Sequence, residues 1–218
     1  MSLHDEIQTL MGELGSKVPA EMMERVGAFI GRMAEDGVAK NACKVGDMAP
    51  SFSLHNASGQ RVALADLLAS GPVVAVFFRG EWCPFCDLTL KAYQRALPDL
   101  EALGATLVAV SPQSAQNTLS TVENRALGYD VLSDSSDAVA RSFGLSFSMT
   151  DAERQLHKDF GLDLPEINDA RDWDLPVPAT YVIDRSGRIA WAQVESNYTT
   201  RAEPADVLDA VRALRPTH

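Results

Sequence analysis

Two cysteines separated by two residues, Cys83 and Cys86, follow closely on a continuous apolar run at residues 73–78. A short run rich in valine and phenylalanine is typical of a buried strand, and the residues from Pro84 onward have a helical pattern. A Cys-x-x-Cys pair between a strand and the N-terminus of a helix can close a disulfide and contains an acidic, nucleophilic thiol. The pair therefore predicts thiol redox chemistry.

The position of each cysteine in the helix predicts its role. Free backbone N–H groups and the helix dipole stabilise a thiolate at Cys83, and Pro84 suits the first helical position. Cys86 lies one turn further, within reach of a disulfide. We expect Cys83 to be the more exposed, nucleophilic sulfur and Cys86 to be buried and to attack the mixed disulfide. Arg79 adds positive potential near the pair, and Glu81 opposes it.

A metal site is the alternative interpretation of a Cys-x-x-Cys pair. Zinc usually requires four ligands, often from two such pairs, whereas this chain has one pair and four scattered histidines. The rival to an enzyme is therefore a non-catalytic module that senses redox state or binds a metal through Cys83 and Cys86. We predict an enzyme with no metal and no organic cofactor.

Composition narrows the class of partner and the compartment. The chain has 19 basic and 30 acidic residues, a net charge of −11 and no basic cluster, which disfavours nucleic acids and anionic membranes as partners. Its three cysteines are odd in number and sparse for a disulfide-built secreted protein. Neither a signal-peptide pattern nor an apolar run of membrane-spanning length is found. We therefore expect a cytoplasmic protein.

The chain divides into a helical extension, residues 1–42, and an α/β domain, residues 43–218. Apolar residues recur at helical spacing in the extension, at Met22, Val26, Phe29, Ile30 and Met33. This stripe either packs on the main domain or forms a subunit interface, which would make the protein a homodimer. From residue 45 onward short strands alternate with helices, a pattern that predicts a βαβ sheet.

Residues 144–176 fit this alternation worst and are rich in acidic side chains. We expect an irregular excursion with one or two helical turns. The excursion is either a lid over the active site or a solvated insertion. Trp173, near Pro176, is a candidate cover for the face that carries the cysteines.

The order of strand, Cys-x-x-Cys and helix, followed late in the chain by Val177-Pro178-Ala179-Thr180, resembles the thioredoxin fold. That fold places a cis-proline against the active-site disulfide. The resemblance implies that Val177–Pro178 is a cis peptide facing the cysteine pair. It also implies that Val177 offers its backbone to a bound substrate chain.

A narrower resemblance covers about residues 44–214. Five segments are similar to motifs of the peroxiredoxin family, in its alkyl hydroperoxide reductase/thiol-specific antioxidant (AhpC/TSA) branch: residues 46–52, 77–79, 108–114, 132–134 and 182–184. The resemblance implies a central mixed sheet flanked by helices. It also implies an antioxidant oxidoreductase that reduces a hydroperoxide or a protein disulfide, with thioredoxin or glutathione as the reductant.

Two features depart from the peroxiredoxin pattern. The family motif Pro-x-x-x-Thr-x-x-Cys corresponds to Arg79, Cys83 and Cys86, so its proline and its threonine are replaced here. The family's arginine before the late strand corresponds to Pro178. The peroxiredoxin alignment names Cys86 as the attacking sulfur, whereas helix geometry and the thioredoxin analogy name Cys83.

Other residues near the pair have alternative interpretations. Trp82 and Phe85 either pack in the core or form an apolar platform for a partner protein or an organic hydroperoxide. Cys43 is either a resolving cysteine or an incidental thiol. Three residues before the last helix are interpreted as surface and capping residues: Tyr198, Arg201 and Glu203.

Overall fold

The computed structural model of the chain describes residues 1–168 and 172–214. Its helices are α1 (Leu3–Lys17), α2 (Ala20–Glu35), α3 (Leu64–Ser70), α4 (Pro84–Ala102), α5 (Ala115–Arg125), α6 (Ala138–Ser142), α7 (Asp151–Asp159), α8 (Leu164–Asn168) and α9 (Pro204–Ala213). Its strands are β1 (Ser53–Asn56), β2 (Arg61–Ala63), β3 (Val73–Phe77), β4 (Thr106–Ser111), β5 (Asp130–Ser133), β6 (Ser146–Ser148), β7 (Asp174–Pro176), β8 (Ala179–Ile183) and β9 (Ile189–Val194). Among the described residues, none of the helices combines the length and the hydropathy that a membrane span requires.

The central sheet is mixed, with the strand order β2-β1-β5-β4-β3-β8-β9. Strands β3, β4 and β5 are parallel neighbours, whereas β8 runs antiparallel to β3 and to β9. Every residue of β3 is buried, because helices cover both faces of the sheet there. Val74 and Val76 belong to the core on one face, and Val73 and Phe77 to the core on the other. The predicted mixed sheet flanked by helices is confirmed.

A short connection after β3 leads directly into helix α4. Phe78 still donates its N–H to the Val110 carbonyl of β4, over 3.0 Å, so the pairing continues one residue beyond β3. The connection then ends at Cys83, the N-cap residue of α4, and Pro84 occupies the first turn. The local geometry thus follows the sequence pattern, since a proline loses no hydrogen bond at that position.

The N-terminal extension packs on the same core as the central sheet. Phe29 and Met33 of α2 are buried, and the rest of the predicted stripe packs against them. Glu203 accepts hydrogen bonds from the N–H groups of Leu3 and His4, over 3.1 and 2.5 Å, and so caps α1. The stripe is therefore used within the chain, which leaves a subunit interface there without support. The domain boundary after residue 42 stays a prediction.

The described part of the excursion, residues 144–168 and 172–176, is more regular than we expected, and residues 169–171 lie outside the described residues. Its strands β6 and β7 pair with each other, and α7 begins with a capping box between Thr150 and Glu153. The prediction of an irregular segment was wrong because elements of three to nine residues are too short for periodicity to reveal them.

Candidate active site

Both cysteines of the pair are free thiols, and both are 0% exposed. The Cys83 carbonyl accepts the N–H groups of Cys86 and Asp87, over 3.0 and 3.1 Å, which closes the first turn of α4. The expectation that Cys83 is the more exposed sulfur was wrong. Arg79 lies against Cys83, and the rings of Trp82, its sequence neighbour, and of Tyr198, from a distant part of the chain, enclose Arg79.

An arginine lies against each sulfur. Nη2 of Arg79 is 3.6 Å from Cys83 Sγ, and Nη2 of Arg201 is 3.6 Å from Cys86 Sγ. The interpretation of Arg201 as a surface residue was wrong, since its side chain is partly buried at the site. Nothing in the local sequence reveals this role, because Arg201 lies beyond β9 and reaches Cys86 only through the fold.

The environment shifts the pKa values of the two thiols in opposite directions. Burial raises the pKa of Cys83, but the hydrogen bond from Cys86 and the positive charges of Arg79 and Arg201 outweigh it, and the pKa lies well below its usual value. Burial and the neighbouring Cys83 sulfur raise the pKa of Cys86 well above its usual value. The electrostatics therefore favour a thiolate at Cys83 beside a neutral thiol at Cys86.

Two aromatic rings enclose the Arg79 guanidinium. Its Cζ atom lies 4.8 Å from the Trp82 ring centroid and 4.0 Å from that of Tyr198. Tyr198 is 6% exposed, so its interpretation as a surface residue was also wrong. Gly80 has a φ of 147°, and a Cβ atom there would lie 2.4 Å from Nε1 of Trp82. Glycine is therefore needed for the indole to fold back onto Arg79.

Glu81 does not oppose Arg79 at the sulfurs. Its carboxylate lies 3.5 Å from Arg125, which also donates to the Glu81 carbonyl and to Asp87, over 3.1 and 2.7 Å. The Glu81 N–H in turn donates to the side chain of Gln113, over 2.9 Å. These bonds hold the turn before Cys83 in place and direct the negative charge away from it.

An apolar cavity of about 270 Å³ lies beside the redox pair, with Arg79, Trp82, Pro84 and Phe85 in its wall. Helices α1, α2 and α7 complete the wall, so part of the excursion does cover the site. Trp173 is not in the cavity wall; its ring lies 5.4 Å from the Lys158 ammonium instead.

His157 of α7 is a site residue that the sequence did not indicate. It lines the cavity, and its ring lies edge-on to Trp82 and to Phe29, at 5.6 and 5.8 Å. Its Nδ1 donates to the Glu153 carbonyl over 2.8 Å. Burial, reinforced by the charge of Arg79, lowers the pKa of His157 to about 4, so the imidazole is neutral at neutral pH.

The Val177–Pro178 peptide is trans, because no cis bond occurs among the described residues, which include both. The predicted cis-proline was wrong. Val177 donates its N–H to the Leu145 carbonyl over 2.8 Å, directly after β7 has paired with β6. This bond occupies the backbone N–H of Val177, one of the two groups that could bind a substrate chain. Neither Val177 nor Pro178 lines the cavity.

The surroundings of the pair also bear on a metal and on the third cysteine. Within the described residues, no cluster of three or more His, Cys, Asp or Glu side chains is arranged for a metal. The guanidinium groups of Arg79 and Arg201 would repel a cation bound to the sulfurs.

Cys43 packs on the opposite face of the central sheet from Cys83 and Cys86, which argues against a resolving role.

A dithiol at the start of the helix that follows a central strand, on a mixed sheet flanked by helices, defines a thioredoxin-fold redox protein. Residues 45–192 match the AhpC/TSA family. The chain belongs to the AhpC/TSA family, and the predicted resemblance to peroxiredoxins is confirmed.

Individual relatives agree with this assignment. The protein named bcp of Helicobacter pylori is 31% identical over 100 residues, which are 46% of this chain and 65% of that protein. Peroxiredoxin Bcp of Escherichia coli is 27% identical over 105 residues, 48% of this chain and 67% of that protein. The match thus spans about two thirds of the length of these curated relatives.

Solved structures agree on the fold. Peroxidoxin BcpB of Mycobacterium tuberculosis superposes with a TM-score of 0.63 at 21% identity, over 79% of this chain and 99% of that one. Peroxiredoxin Q of Xanthomonas campestris gives 0.57 at 18% identity, over 74% and 90% of the two chains. At these identities the likeness concerns the fold alone.

Proposed function

We propose that this protein is a thiol-dependent peroxidase that cycles Cys83 and Cys86 between dithiol and disulfide. One observation carries the proposal: a buried sulfur, Cys83, lies 3.6 Å from the Arg79 guanidinium, with the Cys86 thiol one helical turn away. This arrangement supplies a stabilised nucleophile, a positive charge near the reacting oxygens and a second thiol. The names of the bcp relatives support the same activity.

The reaction has two steps on the protein. The Cys83 thiolate attacks the terminal oxygen of the hydroperoxide, the O–O bond breaks, and the released alkoxide takes up a proton to become an alcohol. Cys83 is left as a sulfenic acid. The Cys86 thiol then attacks that sulfur, the S–S bond forms, and the hydroxyl leaves with the thiol proton as water. Two electrons have passed from the two sulfurs to the peroxide.

The burial of both sulfurs favours a small hydroperoxide over a protein disulfide as the substrate. The proposed reductant is thioredoxin or glutathione, whose thiols return two electrons and two protons to the disulfide. A cytoplasmic location would supply either thiol and suits the sparse cysteines of the chain. A homodimer would have to use a surface other than the stripe of α2.

The test uses the Cys43→Ser variant, so that only the redox pair contributes thiols. Hydroperoxide consumption is measured with thioredoxin and with glutathione as the reductant. After mild oxidation, mass spectrometry gives the mass of the peptide that contains both cysteines. We expect turnover and a loss of two hydrogens from that peptide. An unchanged peptide mass together with no turnover would contradict the proposal.

Single substitutions then assign the roles within the pair. We expect Cys83→Ser to abolish peroxide consumption. Cys86→Ser should still react once and stop at an oxidised Cys83, because no resolving thiol remains. If Cys83→Ser consumes peroxide at a near-normal initial rate, Cys86 is the attacking sulfur, as the peroxiredoxin alignment has it.

A further inference from the structure

About half of the residues in the wall of the cavity beside the redox pair lie outside the matched family segment. Six of its apolar side chains come from α1, α2 and the region of α7: Leu14, Val26, Phe29, Ile30, Leu156 and Phe160. Residues 1–44 precede the segment that matches the AhpC/TSA family. Helices α1 and α2 therefore add an enclosure whose volume of about 270 Å³ suits a small organic molecule.

The polar part of the wall includes three hydrogen-bond donors without partners, besides His157, Tyr198 and Thr199. Nε and Nη1 of Arg79 and Nε1 of Trp82 are buried, and none of them has a partner within the part of the chain that the structure describes. Arg79 is only 4% exposed. Buried donors are normally paired, so a ligand that brings acceptor oxygens into the cavity gains hydrogen bonds that the protein alone does not make.

The charge of Arg79 is balanced only while Cys83 is a thiolate. No ion pair between Arg79 and a carboxylate occurs among the described residues, and the sulfur at 3.6 Å is its nearest negative neighbour. Formation of the Cys83–Cys86 disulfide removes that charge. A buried guanidinium without a counter-ion is strongly unfavourable. The disulfide state therefore favours a negatively charged ligand more than the dithiol state does.

We propose that the cavity binds an organic carboxylate with an apolar tail, whose head accepts hydrogen bonds from Arg79 and Trp82. The carboxylate binds the disulfide form more tightly than the dithiol form. This redox preference rests on the proposed function, because the disulfide forms during turnover. By linkage, the bound carboxylate stabilises the disulfide against reduction by the same factor. An amphipathic acid would thus slow the return of the enzyme to its reduced form.

The test compares decanoate, which is ionised at neutral pH, with the uncharged decanol of the same chain length. Binding of each is measured by titration calorimetry to the reduced protein, to the oxidised protein and to Cys83→Ser, which lacks the thiolate in any redox state. We expect decanoate to bind the oxidised protein and Cys83→Ser at least about tenfold more tightly than it binds the reduced protein. Decanol should bind all three alike.

Two further variants test the site itself. Arg79→Gln should remove the preference for decanoate and leave decanol binding unchanged, whereas Val26→Trp should fill the cavity and weaken both ligands. Thermal unfolding checks that each variant is folded. The proposal would be overturned if decanoate bound the reduced protein and Cys83→Ser with equal affinity. It would also be overturned if Arg79→Gln had no effect on decanoate binding, or if decanoate bound none of the forms.

The same experiment separates this inference from the proposed function. Cys83→Ser cannot turn over, so its affinity for decanoate is measured independently of any peroxidase activity. If Cys83→Ser binds decanoate tightly but the unsubstituted protein consumes no peroxide, the peroxidase proposal alone is overturned. Normal turnover without decanoate binding would overturn the ligand proposal alone.

Discussion

Arg79→Gln tests the electrostatic core of the site, because it removes the charge nearest to Cys83 and keeps a polar, though shorter, side chain. Over the observed 3.6 Å, Coulomb's law gives a thiolate and a guanidinium an attraction of roughly 4–5 kcal/mol at an effective dielectric constant of about 20. Since about 1.4 kcal/mol corresponds to a factor of ten, the loss can reduce the acidity of Cys83 by up to about a thousandfold. Arg201 and the helix N-terminus remain and set the effect below that limit.

The assay is the ultraviolet absorbance of the thiolate, titrated with pH in the reduced Cys43→Ser background, because absorbance does not require a reagent to reach the buried sulfur. We expect Arg79→Gln to lose most of the thiolate signal at pH 7 and Arg79→Lys to keep much of it. Arg212→Gln, in an exposed ion pair with Asp209, is the matched control and should behave as the unsubstituted protein. A full thiolate signal at pH 7 in Arg79→Gln would refute the reasoning.

Two further predictions concern stability. Because buried His157 takes up a proton only near pH 4, and near pH 6.5 when unfolded, its contribution is complete above pH 6.5 and is lost as the pH falls towards 4. As the pH falls from above 6.5 to 4, the free energy of unfolding, measured by chemical denaturation, should therefore fall by about 3 kcal/mol less in His157→Gln than in the unsubstituted protein. The exposed control His55→Gln should show no such difference. Parallel pH profiles of His157→Gln and the unsubstituted protein would contradict this prediction. Arg32→Ala should lower the free energy of unfolding by about 3 kcal/mol, because it strips Glu153, whose side chain is 6% exposed, of a double hydrogen bond between α2 and α7. Lys17→Ala, in an exposed pair, should change it by less than about 1 kcal/mol, and equal effects of the two substitutions would argue against the buried pair.

Features of the fold that depend on local patterns could be predicted from the sequence. The run at residues 73–78 reads as a buried strand because both faces of β3 are covered. Cys83 and Pro84 mark the start of α4 because the first turn of a helix tolerates proline and attracts a negative sulfur. The excursion at residues 144–176 could not be predicted in the same way, since its short elements depend on capping and on contacts with α2.

Features of the site that depend on distant residues could not be predicted. Arg201 reads as a surface residue, yet it reaches Cys86 over 115 positions of sequence, and Tyr198 encloses Arg79 from the same segment. The peptide before Pro178 is trans, the form that most X–Pro bonds adopt. The cis peptide predicted by analogy with the thioredoxin fold was wrong because the analogy transfers a short sequence motif without the residues that surround it in the fold.

Local sequence is enough to predict the strand, the cysteine pair, the helix and the redox class of the protein, because spacing along one segment sets which backbone groups and sulfurs meet. The folded chain, by contrast, is needed to see which charges face each sulfur, how deeply the pair is buried and that α1, α2 and α7 enclose a cavity beside it. Burial and electrostatic interaction act through space, so residues far apart in the chain set the acidity of Cys83 and the access to it.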